Sequence, residues 1–293
     1  MTAAAFLGDA PGPRARRRQR VATAASVAVI AAVVAAAVNR LADRGQLDWA
    51  LWEPFTRAST WRFLWEALLN TLRAAATAMV LSMVLGALLA LGRLSLVAPL
   101  RWASALYVDG VRAFPVLLLI LFAFRALPSL GFDLSRFQAL VLGVTAYNAA
   151  VLAEVFRAGI LSLPRGQTEA GLAVGLTHGQ TLRSILVPQA ARRMLPAIVN
   201  QLVTLLKDTS LGQVISYEEL LRSGQLVGAF NRNDLQALFV VGCLYVAVNF
   251  ALSSFARWLE GRQRRRLGRL ALVGPPAATE AELAQIAADS NLR

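Results

Sequence analysis

Six stretches of this chain are each apolar enough and long enough to cross a bilayer, and no other feature limits the fold as strongly. A hydrocarbon core about 30 Å thick needs roughly 20 helical residues. A helix also satisfies its own backbone where no water can. The stretches are 21–38, 64–92, 104–127, 137–161, 197–216 and 236–259. The expected fold is therefore an all-α integral membrane bundle, one N-terminal transmembrane helix followed by a core of five. Composition agrees: 57% of residues are hydrophobic and 16% charged, against about 45–50% and 25% in soluble domains.

The chain carries 30 Lys+Arg against 17 Asp+Glu, a net charge of +13. Such a charge suits nucleic acid only when it clusters on a soluble face. Here it lies in the linkers between apolar runs and reads as membrane orientation. With the N-terminus placed inside, segments 1–20, 93–103, 162–196 and 257–293 hold 18 arginines, and the outside segments 39–63, 128–136 and 217–235 hold 7. That bias predicts a multi-pass protein of the cell membrane with both termini cytoplasmic. The expected organisation is a basic N-terminus over 1–20, a transmembrane helix over 21–38, an extracytoplasmic linker over 39–63, a core over 64–259 with a cytoplasmic loop over 162–196, and a tail over 260–293. The first run, with small residues at 35–37, also fits a secretory signal peptide. Its 18 residues exceed the usual 7–15, which favours a retained anchor. The segment 274–293 opens Gly-Pro-Pro and reads as a disordered or weakly helical tail.

One cysteine, Cys243, excludes a disulfide framework and a cysteine zinc site. Cys243 reads as a small membrane-buried hydrophobe. The one histidine, His178, excludes a His-cluster metal site and reads as a surface residue. No metal, cofactor or enzymatic activity is expected of the chain.

The linker between the fourth and fifth runs is the most informative segment. Pro164 and Gly166 mark a turn off the membrane span. Residues 167–174 predict a short helix with Thr168 as a weak cap, and Gly175 ends or kinks it. A second helical piece over 179–186 is expected to stop at Pro188, because proline disfavours helix in the residue before it. This helix–break–helix excursion is long enough to be grasped by another protein. The chain has no Gly-x-x-x-x-Gly-Lys-Ser/Thr to cradle nucleotide, so uphill transport would need ATP bound on a separate ATPase.

Glu169-Ala170-Gly171, followed by Gly175, Ile185, Val187 and Pro188, resembles the EAA loop of binding-protein-dependent ABC importer permeases. The glycine, isoleucine and proline fall six, sixteen and nineteen residues after Glu169, as that pattern has them. Gly171 stands where many permeases have alanine, and Val187 for the usual leucine. Further segments resemble the polar amino-acid subfamily: Arg112-Ala-Phe-Pro115, Ala146-Tyr147-Asn148, Ala153-Glu154, Arg157-Ala-Gly159, Pro164-Arg-Gly-Gln167 and Lys207-Asp208-Thr209-Ser-Leu211. Together they cover about residues 64–259, and in detail look most like the glutamate permeases of actinobacteria. The resemblance implies an importer permease that is not itself an enzyme. It implies cytoplasmic ATPase subunits, a second permease subunit (same or different) and an extracytoplasmic substrate-binding protein as partners. Glu169, Ala170, Gly171, Gly175, Ile185 and Pro188 would couple it to the ATPase.

Charges inside the spans cost about 2.5–3.5 kcal/mol each to insert, so they should face a cavity or the bundle interior. Lys207 and Asp208 sit about eleven residues into their run, about 16 Å deep and close to the midplane. Neighbours on a helix point about 100° apart, so the two meet different surroundings. They form either a site for the ammonium and carboxylate groups of an amino acid or a structural ion pair, and both readings stay open. Tyr147, Asn148, Glu154 and Thr209 join them as candidates for the substrate pathway. Glu154 and Arg157, and likewise Asp109 and Arg112, lie at i, i+3 and can pair on one helix face. Arg157, Arg112 and Pro115 are structural candidates, Pro115 as a kink where a span lines a cavity. Arg125 can snorkel to a boundary, and Arg73 is less specific. A rival reading is a proton-coupled secondary transporter using Glu154 and Asp208 as relays. Such transporters usually carry two matching halves with broken helices, and no such halves are visible.

Overall fold

The computed structural model describes residues 13–271, and every regular element among them is helical. In chain order they are α1 (Pro13–Asp43), α2 (Trp49–Trp52), α3 (Ala58–Arg93), α4 (Ala98–Ala113), α5 (Val116–Ser129), α6 (Arg136–Leu161), α7 (Arg165–Ala173), α8 (His178–Thr181), α9 (Val187–Asp208), α10 (Leu220–Asn231) and α11 (Asp234–Ala271). The tail expected over 274–293 lies outside the described residues.

Small residues hold the centre together. Ala74, Ala78, Ser82, Gly86 and Ala90 recur every fourth position on α3, and all are buried. They lie against α6, whose Ala149, Ala150 and Ala153 are fully buried too. In lipid, helices associate through close packing rather than hydrophobic burial, so small side chains bring two backbones together. A Cβ on Gly86 would stand 3.0 Å from the Ala149 carbonyl oxygen. Two turns nearer the start of α6, a Cβ on Gly143 would lie 2.7 Å from backbone atoms of Ile120 on α5. A larger residue at Gly143 would force α5 and α6 apart. At its N-terminus α6 is closed by a capping box. Gln138 N–H donates to Ser135 Oγ at 3.3 Å, and Ser135 N–H donates to Gln138 Oε1 at 2.9 Å.

Two predicted spans take a different form. The run at 104–127 is not one helix: α4 and α5 meet at an angle of 100°. Pro115 has no N–H to continue a helix and pushes its predecessor out of the α region. Phe114 accordingly adopts φ −90°, ψ 139°. The run at 197–216 is also displaced. Its helix α9 begins at Val187 and ends at Asp208, and a tighter 3-10 helix continues to Ile215. Among the described residues, four helices (α1, α3, α6 and α11) are long and apolar enough to span, and the bent α4–α5 pair makes a fifth candidate.

The loop expectations also need correction. Pro188 does not end a helix; it occupies the first turn of α9, where a missing N–H has no intrahelical bond to lose. The chain runs into it from α8 through a wider π turn, Leu182–Leu186. Thr168 is not a cap, because α7 begins at Arg165 after Pro164, with no side-chain cap bond.

Candidate coupling loop and substrate path

The loop leaves α6 at Ser162 and returns as α9. Two contacts fasten its ends together: Arg193 Nη1 donates to the Ser162 carbonyl and Gln189 Nε2 to Gln167 Oε1, each at 2.9 Å. Gly175 ends α7 at φ +83°, a conformation glycine enters without penalty. Thr177 then caps α8 in a capping box with Gln180. The departure from alanine at Gly171 has a packing reason. A Cβ there would sit 2.7 Å from Thr181 Cγ2 and 3.0 Å from Ile185 Cδ1, so glycine lets α7 lie against these side chains where an alanine would make them shift. Ile185 is half-buried in that contact, while Pro188 is exposed.

The outer face of α7 is the reverse of its inner one. Glu169 and Ala170 are exposed, and so are two large apolar side chains, Leu172 (47%) and Val174 (76%). His178 is exposed at the start of α8, as expected. The loop thus presents a carboxylate and an apolar pair on a short helix tied to two long ones.

Asn148 marks the polar centre of the core. It is fully buried halfway along α6, twelve residues from Arg136 and thirteen from Leu161. Its Nδ2 donates to the Val144 carbonyl at 2.9 Å and to Asp208 Oδ2 at 3.4 Å. Its Oδ1 accepts from Gln201 Nε2 at 2.5 Å. Gln201 and Asp208 lie two turns apart on one face of α9, and Asn148 bridges them. This places Asp208 level with the middle of α6.

Lys207 points elsewhere. It is exposed in an open cavity of about 660 Å³ between α9, α10 and α11, whose lining is mostly apolar (Leu221, Leu238, Val241, Val246, Phe250) with Ser210, Tyr245, Asn249 and Arg257 among it. Asn249 Nδ2 donates to the Tyr245 carbonyl at 2.7 Å, while its buried Oδ1 accepts no hydrogen bond. Among the described residues neither Lys207 nor Asp208 forms an ion pair. Lys207 also sits in the last turn of α9, where its charge faces the negative end of the helix dipole. Thr209 is buried and donates to the Leu206 carbonyl at 2.7 Å, and Tyr147 is half-buried on α6. The structure therefore joins Asn148 with Asp208 and separates both from Lys207.

Glu154 belongs to a third group near the loop. Arg157 Nη1 donates to Glu154 Oε1 at 3.1 Å, the expected i, i+3 pair. Arg93 Nη1 lies 3.0 Å from Glu154 Oε2 and 3.0 Å from Asp109 Oδ1. The contact to Glu154 Oε2 is close but poorly aligned, a charge contact rather than a directed hydrogen bond. Asp109 thus pairs with Arg93 on α3 and not with Arg112, which is exposed beside exposed Pro115. The cluster ties α3, α4 and α6 together just before the loop. Arg125 lies over the Phe124 ring, 5.9 Å from its centroid. Cys243 is exposed on α11, within its apolar stretch Asp234–Phe255.

Sequence reasoning missed Gln201, Arg93 and Glu219. Glu219 is fully buried ahead of α10 and accepts from the Leu221 and Arg222 N–H groups at 2.9 and 2.7 Å, and from Tyr245 Oη at 2.8 Å. Its carboxylate caps that helix and joins it to α11. An acidic residue directly before an apolar run was the available signal.

The profile of the family described as "Binding-protein-dependent transport system inner membrane component" matches residues 82–265. The glutamate transport system permease protein GluD of Corynebacterium glutamicum is 42% identical over 237 residues, 80% of this chain and 87% of that protein. The probable glutamine ABC transporter permease protein GlnP of Bacillus subtilis is 39% identical, across 69% of this chain and 94% of its own. A crystal structure of an amino acid ABC transporter with histidines shares the fold at a TM-score of 0.67 and 24% identity, covering 71% of this chain and 97% of that one. A helical bundle interrupted by a projecting EAA-type loop defines the permease class of ABC importers, here for amino acids. The chain belongs to the binding-protein-dependent transport system inner membrane components.

Proposed function

We propose that this chain imports an acidic amino acid, glutamate or a near relative, as one of two permease subunits driven by a separate cytoplasmic ATPase and fed by an extracytoplasmic binding protein. The observation that carries the reading is the loop. Leu172 on α7 and Val174 just past its end are exposed beside Glu169 on a segment outside the apolar runs, where a docking partner would cover them. Glu169 beside them would meet a basic group of the ATPase. The ties to α6 and α9 make the loop a lever, so displacing α7 would move the helices that carry Asn148 and Asp208. Glutamate as substrate is supported by Lys207, whose cavity is lined by two cations and no carboxylate. The name of the Corynebacterium relative supports the same choice. In cells lacking their own glutamate importers, expression with a second permease subunit, an ATPase and a binding protein that complete the importer should confer uptake of labelled glutamate that unlabelled lysine does not compete away. Lysine competition equal to that of glutamate would refute the substrate class.

The same reading places the loop in the cytoplasm with both termini. Reporters fused after Arg101 and after Arg266 should then read inside, and one near Asn231 outside. An outside signal at Arg266 would contradict it.

A further inference from the structure

We infer that α1 carries a binding site for the headgroup of an anionic phospholipid. The site lies at the basic start of the helix and is independent of the substrate and of the ATPase. Arg14, Arg17 and Arg18 stand at i, i+3 and i+4, so their guanidinium groups share one face. Val21 and Ala22 follow one turn further along the same face, and the five side chains line one shallow notch. All five are exposed. Arg16 and Arg20 stand on the opposite face, in a second notch with Gln19, Thr23 and Ala24.

Three observations select a lipid as the occupant. The first is charge: the helix has no acidic residue before Asp43, and guanidinium forks match phosphate oxygens bidentately. The second is level. Below the arginines an uncharged run of 18 residues reaches Val38, about 27 Å of helix and close to the hydrocarbon thickness. The guanidinium groups therefore fall at the headgroup layer while Val21 and Ala22 fall at the first acyl carbons. The third is access: none of the apolar window of α1 is buried against the rest of the chain, so its flank is open along its length. Its many alanines would let acyl chains lie close to the helix.

Native mass spectrometry of the full-length permease in neutral detergent tests this without depending on membrane orientation. Phosphatidylglycerol should bind at lower concentration than phosphatidylcholine. The variant R14Q/R17Q/R18Q should lose roughly tenfold or more in phosphatidylglycerol affinity, in line with the contribution of each basic residue at an anionic surface, with phosphatidylcholine adducts unchanged. R14K/R17K/R18K keeps the charge but loses the bidentate forks, so its affinity should fall between that of the unsubstituted chain and that of the Gln variant. Excess inorganic phosphate should fail to displace the lipid. Equal binding of the two lipids, full binding by the Gln variant, or displacement by phosphate would each overturn the assignment.

Discussion

Glu169→Lys is expected to cut uptake by tenfold or more while the permease stays folded in the membrane. Glu169 is exposed and makes no hydrogen bond or ion pair among the described residues, so its replacement disturbs nothing inside the chain. The loss would arise on the partner, where reversing a charge at a docking surface brings like charges together at a cost of several kcal/mol. Gly175→Asp should have a comparable effect by a different route. Space is not limiting, because nothing lies within 4 Å of a Cβ there, but φ is +83°. A side chain in that region costs up to about 1–2 kcal/mol, less for aspartate than for most residues, and this one also adds a negative charge to the loop six residues after Glu169. Gly179→Ala is the control: it also has open space and lacks the positive φ, and should transport normally. Measuring uptake, ATPase co-purification and ATP hydrolysis in the three variants separates coupling from folding. Normal transport with normal ATPase association in Glu169→Lys would remove α7 from the docking surface.

The loop was legible because its information is local. Turn residues, a break at Gly175 and fixed spacings lie within about twenty residues, and the end of α7 at Gly175 follows from them. Pro188 shows where local reasoning stops. The same residue can end one helix or begin the next, and the choice depends on α9 starting ten residues before the apolar run did. The bend at Phe114-Pro115 was visible as a kink, but its 100° was not, since proline sets where a helix breaks and packing sets by how much. The small-residue spacing on α3 could have been found by counting every fourth position. Hydropathy hides it, because alanine in a lipid-facing stripe and alanine in a helix contact score alike. Charge pairing was legible only within a helix. Glu154 met Arg157 as i, i+3 geometry allows, whereas Arg93 reached Asp109 and Glu154 from another helix. No periodicity relates residues sixteen and sixty-one positions apart. Gln201 escaped for the same reason: its meaning lies in Asn148, across the α6–α9 contact.

Lys207→Met is expected to lower glutamate uptake by tenfold or more with no loss of assembled complex. The side chain is exposed and ends in a cavity rather than in an ion pair, so removing it leaves no protein charge unpaired. A charged hydrogen bond to a substrate carboxylate contributes about 1.5–3 kcal/mol, roughly tenfold to more than a hundredfold. Asp208→Asn should behave differently. The new amide oxygen can still accept from Asn148, so the bridge from Gln201 through Asn148 survives and assembly falls only slightly. Asp208→Leu removes the acceptor and leaves the fully buried Asn148 amide one partner short, a cost of about 1–3 kcal/mol that should appear as lower yield of complex. Because Lys207 and Asp208 face different neighbours, Lys207→Met/Asp208→Asn should lose uptake at least as severely as Lys207→Met alone. A mutual ion pair predicts the opposite, since deleting both partners of a buried pair restores much of what deleting one destroys. Complex yield and uptake in the two singles, the leucine variant and the double therefore decide the matter. Recovery of both in the double would make the two residues a scaffold and take Lys207 out of the substrate path.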